Sequence, residues 1–149
     1  MILIVGGSCQ GKAEYAHGLM EQYQNAGLAA GNNGAGADER SLDDGNPLDS
    51  MADGRTDCWR QAPGRTCLVN FHGFLRQVME AGLDPDAFAD EVISSGTQII
   101  TMDEVGCGIV PMERSERDYR EAVGRAGQRI AGEADEVYRM MCGIPVRIK

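Results

Sequence analysis

Residues 2–13 have the sequence ILIVGGSCQGKA. The apolar run at residues 2–5 is typical of a strand in the middle of a parallel sheet, where both faces are buried. The following GGSCQGKA fits the pattern G-x-x-x-x-G-K, which binds phosphate when it joins a strand to a helix. The glycines let backbone N–H groups converge, and the lysine reaches terminal phosphate oxygens. The predicted phosphate-binding residues are Gly6, Gly7, Ser8, Cys9, Gln10, Gly11, Lys12 and Ala13.

The helix required by this pattern is predicted from Lys12 to about Asn25. Beyond it, apolar strands at residues 66–71 and 98–102 alternate with helices predicted at 73–81, from 85 and from 111. Two short strands, at 136–142 and 146–148, are predicted near the end of the chain. Strands that alternate with helices indicate an α/β fold with a mostly parallel sheet flanked by helices.

The chain has 149 residues, which suits one domain over residues 1–149. Between Gly27 and Gly64 the sequence is rich in glycine and aspartate and has no apolar periodicity. We expect a flexible loop here, either a lid over the substrate or a disordered insertion.

Composition excludes several classes of partner. The net charge is -9 and no basic block interrupts the acidic background, so neither nucleic acid nor an anionic membrane surface is expected as a partner. The five cysteines are scattered and only two histidines accompany them, which argues against disulfides and zinc. The apolar N-terminal run is too short for a signal segment or a membrane span, so we expect a cytoplasmic protein.

An acidic pair, Asp103-Glu104, follows the strand at 98–102. A strand-end acidic pair near a phosphate-binding loop can hold Mg²⁺ or act as a base, and we predict Asp103 and Glu104 as metal ligands. The alternative is a solvated acidic turn. Ala13 weakens the metal prediction, because the Ser or Thr usual at this position supplies a hydroxyl to Mg²⁺.

The C-terminal part of the chain resembles the adenosylcobinamide kinase / adenosylcobinamide-phosphate guanylyltransferase family. The resemblance rests on DEVGCGIVP at 103–111, YREAVGR at 119–125, QR at 128–129, ADEV at 134–137 and GIPVRIK at 143–149, together with the phosphate-binding loop. It implies a single RecA-like P-loop NTPase domain that assembles as a homo-oligomer. It also implies ATP or GTP, Mg²⁺ and adenosylcobinamide as ligands, with phosphorylation of the aminopropanol hydroxyl followed by GMP transfer. By the same resemblance, Glu104, Gly106 and Gly108 would lie beside the nucleotide.

The chain looks like a shortened form that departs from the family at three places. Ala13 lacks the hydroxyl, Asn70 stands where the family has an acidic residue, and Ser50 and Met51 occupy the region of the family's guanylyl-accepting histidine. Guanylyl transfer is therefore not expected from the usual acceptor.

Three hypotheses follow from these departures. The first is an adenosylcobinamide kinase in which Lys12 stabilises the transferred charge and Glu104 or Asp103 supplies metal or base function. The second is a catalytically impaired nucleotide- or corrinoid-binding protein that serves as a sensor or partner subunit. The third is a fully bifunctional kinase and guanylyltransferase with a relocated acceptor such as His72. This histidine could serve as a replacement nucleophile or phosphate contact, and the more usual alternative is a locally hydrogen-bonded or capping histidine.

Overall fold

The structure is a computed structural model that describes residues 1–30, 50–106 and 108–149. Six strands alternate with four helices in this part of the chain. The strands are β1 (Ile2–Gly6), β2 (Met51–Asp53), β3 (Cys67–Val69), β4 (Ile99–Asp103), β5 (Glu136–Met141) and β6 (Ile144–Arg147). The helices are α1 (Lys12–Ala30), α2 (Phe71–Glu80), α3 (Pro85–Ser94) and α4 (Arg114–Glu133), with a 3-10 turn at Trp59–Gln61.

All six strands form one sheet in the order β2-β3-β4-β1-β5-β6. The first five strands of this order pair in parallel, and β6 returns antiparallel to β5. The strand order reverses around β1, so the loop that leaves β1 lies at the carboxyl edge between its neighbours. In open α/β sheets this edge is where ligands bind. The predicted α/β fold with a mostly parallel sheet is confirmed.

The sheet is covered on both faces by apolar side chains of alternating parity. Ile2, Ile4 and Ile99 pack with α1 on one face. Leu3, Ile100 and Val137 belong to the larger cluster, which contains the apolar faces of α2, α3 and α4. Burial on both faces explains why β1 and β4 are continuous apolar runs rather than alternating ones.

Helix α3 begins where the sequence predicts a helix start. Asp84 is the N-cap, and its side chain accepts a hydrogen bond from the backbone N–H of Asp86 at 2.9 Å. Pro85 occupies the first turn, where its missing N–H is not needed.

The prediction of a loop over residues 27–64 is wrong at residues 27–30 and 51–53. Helix α1 continues to Ala30, while Met51–Asp53 form an edge strand that pairs with β3. Three residues are too few to show a period, so the sequence did not reveal β2. Residues 54–64 form turns with the 3-10 turn at Trp59–Gln61, and residues 31–49 of the predicted loop lie outside the described part of the chain.

Two helix starts also differ from the prediction. Helix α2 begins at Phe71 rather than Gly73, because Asn70 takes a left-handed conformation (φ 54°) that ends β3 at once. Helix α4 begins at Arg114, three residues after Pro111. No helix in the described ranges is long and apolar enough to cross a membrane.

Candidate phosphate-binding site

The loop between β1 and α1 has the tight backbone that a phosphate-binding loop needs. A Cβ on Gly6 would lie 2.8 Å from the carbonyl oxygen of Met140 on β5, so only glycine fits at the end of this strand. Cys9 and Gly11 have φ values of 58° and 84°, which turn the chain back toward the start of α1. The eight predicted residues thus form one turn against the helix N-terminus. Their contact with phosphate remains a prediction.

Lys12 is the first residue of α1 and is only 5% exposed. Its Nζ donates a hydrogen bond to the carbonyl oxygen of Gly7 at 2.6 Å and lies 2.7 Å from Oδ1 of Asp103. A buried ammonium needs such partners, because leaving it unpaired would be costly. The lysine is therefore already held at the mouth of the loop, between β1 and β4.

Asp103 ends β4 and is the anionic centre of the site. Besides Lys12, its Oδ2 lies 3.6 Å from Nε2 of His72 and 3.9 Å from a guanidinium nitrogen of Arg55. Its Oδ1 is buried but accepts no well-aligned hydrogen bond within the described residues, so the contact with Lys12 is ionic. The carboxylate is compensated by positive charge more than by hydrogen bonding.

His72 lies in the first turn of α2, not at the end of a strand as predicted, because Asn70 ends β3 earlier. Its Nδ1 accepts a hydrogen bond from the backbone N–H of Asp103 at 3.1 Å, and its side chain is 12% exposed. Burial lowers the pKa of this imidazole, although the nearby Asp103 opposes that effect. An accepting Nδ1 places the proton of the neutral ring on Nε2. This geometry favours the locally hydrogen-bonded role over that of a nucleophile.

Asn70 and Asp53 link the ends of β3 and β2. The Asn70 side-chain amide donates to Oδ1 of Asp53 at 2.8 Å, and the same oxygen accepts from the backbone N–H of Arg55 at 2.9 Å. The Asn70 backbone N–H donates to Oγ1 of Thr101 at 3.0 Å. Asn70, where the resemblance implies an acidic residue, therefore supplies a hydrogen-bond donor.

Backbone contact without intervening side chains brings Arg55 to the site. A Cβ on Gly54 would lie 2.3 Å from the Asn70 carbonyl oxygen, and one on Gly73 would lie 2.4 Å from the Gly54 carbonyl oxygen. Both distances are far inside van der Waals contact, so the turn after β2 and the start of α2 fit only as glycine against glycine. Arg55 follows this contact directly.

Loop, lysine and arginine enclose a pocket of about 250 Å³. It is lined by Cys9, Gln10, Gly11, Lys12, Ala13, Glu14, Arg55 and Asn70. The volume falls below the range of about 300–1,000 Å³ of sites that bury drug-sized ligands, and it suits phosphate groups rather than a whole nucleotide. Sequence reasoning did not assign Arg55 to the site. The Asp53-Gly54 pair signals a turn, but the position of that turn depends on the pairing of a three-residue strand.

Glu104 does not join Asp103. Its Oε2 lies 3.0 Å from a guanidinium nitrogen of Arg139 on β5, whereas Asp103 contacts Lys12 on the opposite side. Neighbouring residues of an extended chain point to opposite faces, so the two carboxylates diverge. Both residues border an apolar groove of about 300 Å³ between α4 and the sheet.

The residues at this edge do not fit the Mg²⁺ site that the sequence predicted. Mg²⁺ takes about six oxygen ligands in near-octahedral geometry, but the two predicted ligands diverge, Ala13 has no hydroxyl and Asn70 donates to Asp53. Within the described ranges, no three His, Cys, Asp or Glu side chains are grouped so that they could hold a metal ion.

The turn after β4 is held by an arginine of α4. Arg120 donates to the carbonyl oxygens of Gly106, Gly108 and Ile109, the last at 2.8 Å. The Glu104 backbone N–H donates to the Gly6 carbonyl oxygen at 3.0 Å, which ties the turn to the end of β1. Both glycines are exposed, and their position beside a nucleotide remains a prediction.

These features define the class of protein. A strand, a glycine-rich loop with a buried lysine and a helix, set at the switch point of a mostly parallel sheet, form the fold of a P-loop NTPase. Sequence comparison is consistent with this class. A profile of the family described as cobinamide kinase / cobinamide phosphate guanyltransferase matches residues 80–148.

Two curated proteins are similar to part of the chain. The bifunctional adenosylcobalamin biosynthesis protein CobU of Salmonella typhimurium is 47% identical over 51 residues, and its Escherichia coli counterpart is 43% identical over 51 residues. Each alignment covers 34% of this chain but only 28% of the relative's length. Over residues 80–148, the chain is thus similar to the cobinamide kinase / guanylyltransferase family, and the resemblance found in the sequence is confirmed over that range.

Proposed function

We propose that this protein binds ATP or GTP at the loop after β1 and transfers the γ-phosphoryl group to the aminopropanol hydroxyl of adenosylcobinamide. The observation that carries the proposal is the arrangement of Lys12 and Asp103, whose charged atoms lie 2.7 Å apart at the carboxyl edge of the sheet. The family match over residues 80–148 supplies the substrate class. The name of the curated relatives places them in adenosylcobalamin biosynthesis, and we extend that context to this chain.

In this proposal Lys12 binds the phosphate and Asp103 accepts a proton. When phosphate enters, the Lys12 ammonium contacts its oxygens and stabilises the charge that develops on the transferred group. The bond between the γ-phosphorus and the bridging oxygen breaks, the substrate hydroxyl oxygen bonds to that phosphorus, and the nucleoside diphosphate leaves. Asp103, released from Lys12, accepts the hydroxyl proton. Glu104 faces Arg139, so we assign the base role to Asp103.

A second candidate function has specific support. The carboxylate of Asp103 is surrounded by Lys12, His72 and Arg55, and Asn70 supplies a donor where the resemblance implies an acid. These features favour nucleotide binding and do little for rapid transfer. They agree with a catalytically impaired protein that reports on nucleotide or corrinoid, or that acts as a partner subunit.

One experiment distinguishes the two candidates. Purified protein is incubated with ATP or GTP, with and without adenosylcobinamide, in Mg²⁺ and in EDTA, and the corrinoid is followed by mass spectrometry. A corrinoid heavier by one phosphate group, formed only when both nucleotide and adenosylcobinamide are present, supports the kinase. Nucleotide-dependent thermal stabilisation without product supports the binding protein.

Matched variants and a label complete the experiment. Lys12→Ala removes the phosphate-contacting ammonium and should abolish both product and stabilisation, whereas Arg60→Ala removes an arginine that lies over Trp59 and should change neither. GTP labelled at the α-phosphate tests GMP transfer separately. We expect no acid-labile label on the protein, since Ser50 and Met51 occupy the acceptor region.

A further inference from the structure

We propose that the pocket takes the polyphosphate of a nucleotide as the free anion, with Lys12 and Arg55 in place of a divalent cation. The inference rests on the proposed phosphate site. It goes beyond that proposal by naming the charge form of the ligand and by assigning a second binding cation.

The carboxylates of Asp103 and Asp53 already have partners within the protein. Asp103 faces the Lys12 ammonium at 2.7 Å, the His72 ring at 3.6 Å and the Arg55 guanidinium at 3.9 Å. Asp53 accepts hydrogen bonds at one oxygen from the Asn70 amide and from a backbone N–H. The charge of Asp103 is thus compensated by groups of the protein itself, and Oδ1 of Asp53 is already hydrogen-bonded, so a metal ion at either oxygen atom would have to displace these groups.

The Asn70 side chain is an amide that donates a hydrogen bond to Asp53. Its Nδ2 lies 2.8 Å from Oδ1 of Asp53. A carboxylate in this place would set two anions at hydrogen-bonding distance, and a cation would be needed between them. The amide instead donates a proton directly, which removes the need for that cation. Ala13, on the other wall of the pocket, completes the loss of metal-binding oxygens.

Arg55 lies in the wall of the pocket. The backbone contact of Gly54 with Asn70 and Gly73 fixes the start of its side chain, while its guanidinium is about half exposed, at 53%, and lines the pocket opposite the loop. Its single ion pair in the described part of the chain is the long one to Asp103. A guanidinium with free donors can bind two phosphate oxygens at once, which a hydrated metal ion would otherwise do.

One group in the pocket opposes anion binding. Glu14, in the first turn of α1, also lines it. Its side chain is exposed, so solvent weakens its repulsion of a phosphate. The attraction of a phosphate by Lys12 and Arg55 therefore outweighs its repulsion by Glu14 near the loop, and does so less at the mouth of the pocket.

Calorimetric titration tests the inference with three probes: ATP, GTP and inorganic tripolyphosphate. Each is titrated into the full chain in EDTA and again in excess Mg²⁺. We expect Kd in EDTA to be equal to or lower than Kd in Mg²⁺ for all three probes. Arg55→Ala should weaken binding in EDTA by about ten-fold, and Arg55→Lys by less.

The control is Arg60→Ala, a neighbouring arginine outside the pocket, which should leave every Kd unchanged. Binding that requires Mg²⁺, or an Arg55→Ala variant that binds in EDTA as well as the original chain, would overturn the inference and leave the proposed function standing. Binding of no probe under either condition would overturn both. Circular dichroism of each variant shows that it is folded before titration.

Discussion

The part of the chain that matches the family profile differs from the part that builds the proposed phosphate pocket. The family profile covers residues 80–148, whereas every residue that lines the pocket lies between Cys9 and Asn70. The two parts are linked by the ion pair between Asp103, at the end of β4, and Lys12. The sequence similarity to the family therefore lies in one part of the molecule, while the proposed phosphate chemistry depends mainly on the part outside the match.

The charged side chains of the two parts also differ in what they contact. In the family-matched part, Glu104 pairs with Arg139 and Arg120 holds the turn at 106–109 through backbone carbonyl oxygens. These contacts shape the backbone. In the part that builds the pocket, Lys12 and Arg55 both face Asp103 and remain near space that a ligand can enter. Substitutions in the two parts should therefore separate loss of structure from loss of binding.

The largest effect is expected at Lys12. Lys12→Ala should abolish nucleotide binding and lower the free energy of unfolding by about 3–5 kcal/mol, because Asp103 loses its closest cation. The double variant Lys12→Ala/Asp103→Asn should recover part of that stability and none of the binding. Urea unfolding and calorimetry measure the two quantities. Recovery of binding in the double variant would show that Lys12 acts through the fold alone.

A second effect should appear where the two glycines meet. Gly54→Ala places a Cβ 2.3 Å from the Asn70 carbonyl oxygen, so the turn that carries Arg55 must move. We expect a loss of about 1–3 kcal/mol in the free energy of unfolding together with weaker phosphate binding. The matched control is Gly132→Ala in α4, where a Cβ meets nothing within 4 Å. There alanine should stabilise the helix by about 0.5–1 kcal/mol.

A smaller effect is expected in the family-matched part. Arg120→Ala removes a donor to the carbonyl oxygens of Gly106, Gly108 and Ile109, so hydrogen exchange in the turn at 106–112 should become faster. Nucleotide binding should change less than with Arg55→Ala. Arg114→Ala, at an exposed arginine that begins the same helix, is the control and should leave exchange in the turn as it was. Equal effects of the two variants would mean that Arg120 does not hold the turn.

The smallest effect is a pH dependence that arises from His72. Burial lowers the pKa of this imidazole in the folded state, so between that pKa and 6.5 the unfolded chain binds more protons. The contribution to stability is complete above pH 6.5 and declines as the pH falls through the folded pKa. His72→Asn keeps an acceptor for the Asp103 N–H and should reduce this dependence. Thermal unfolding from pH 5 to pH 8 measures the difference, and identical profiles would contradict it.

The sequence predicts the frame of the molecule well because the strongest signals are local. A buried apolar strand, a glycine loop and a lysine on the following helix are adjacent in the chain, and their roles in β1 and α1 agree with the structure. Asp84 and Pro85 mark the start of α3 in the same way. Each of these signals depends on residues only a few positions apart.

The parts that were missed depend on distant contacts. Arg55 reaches the pocket because Gly54 packs against Asn70 and Gly73, which no local pattern reveals. The acidic pair at 103–104 suggested one metal site, but the alternation of an extended chain sends its members to opposite sides, toward Lys12 and Arg139. His72 was predicted at the end of a strand but lies in helix α2, because the left-handed conformation of Asn70 ends β3 earlier.

The most direct test of the account is amide hydrogen exchange with and without saturating ATP or GTP, followed by mass spectrometry of overlapping fragments. The account predicts the strongest new protection in the loop at residues 7–13 and around Arg55, with little change along the solvent-facing side of α4. Protection confined to residues 106–112, with the loop after β1 unchanged, would contradict the assignment of the phosphate pocket.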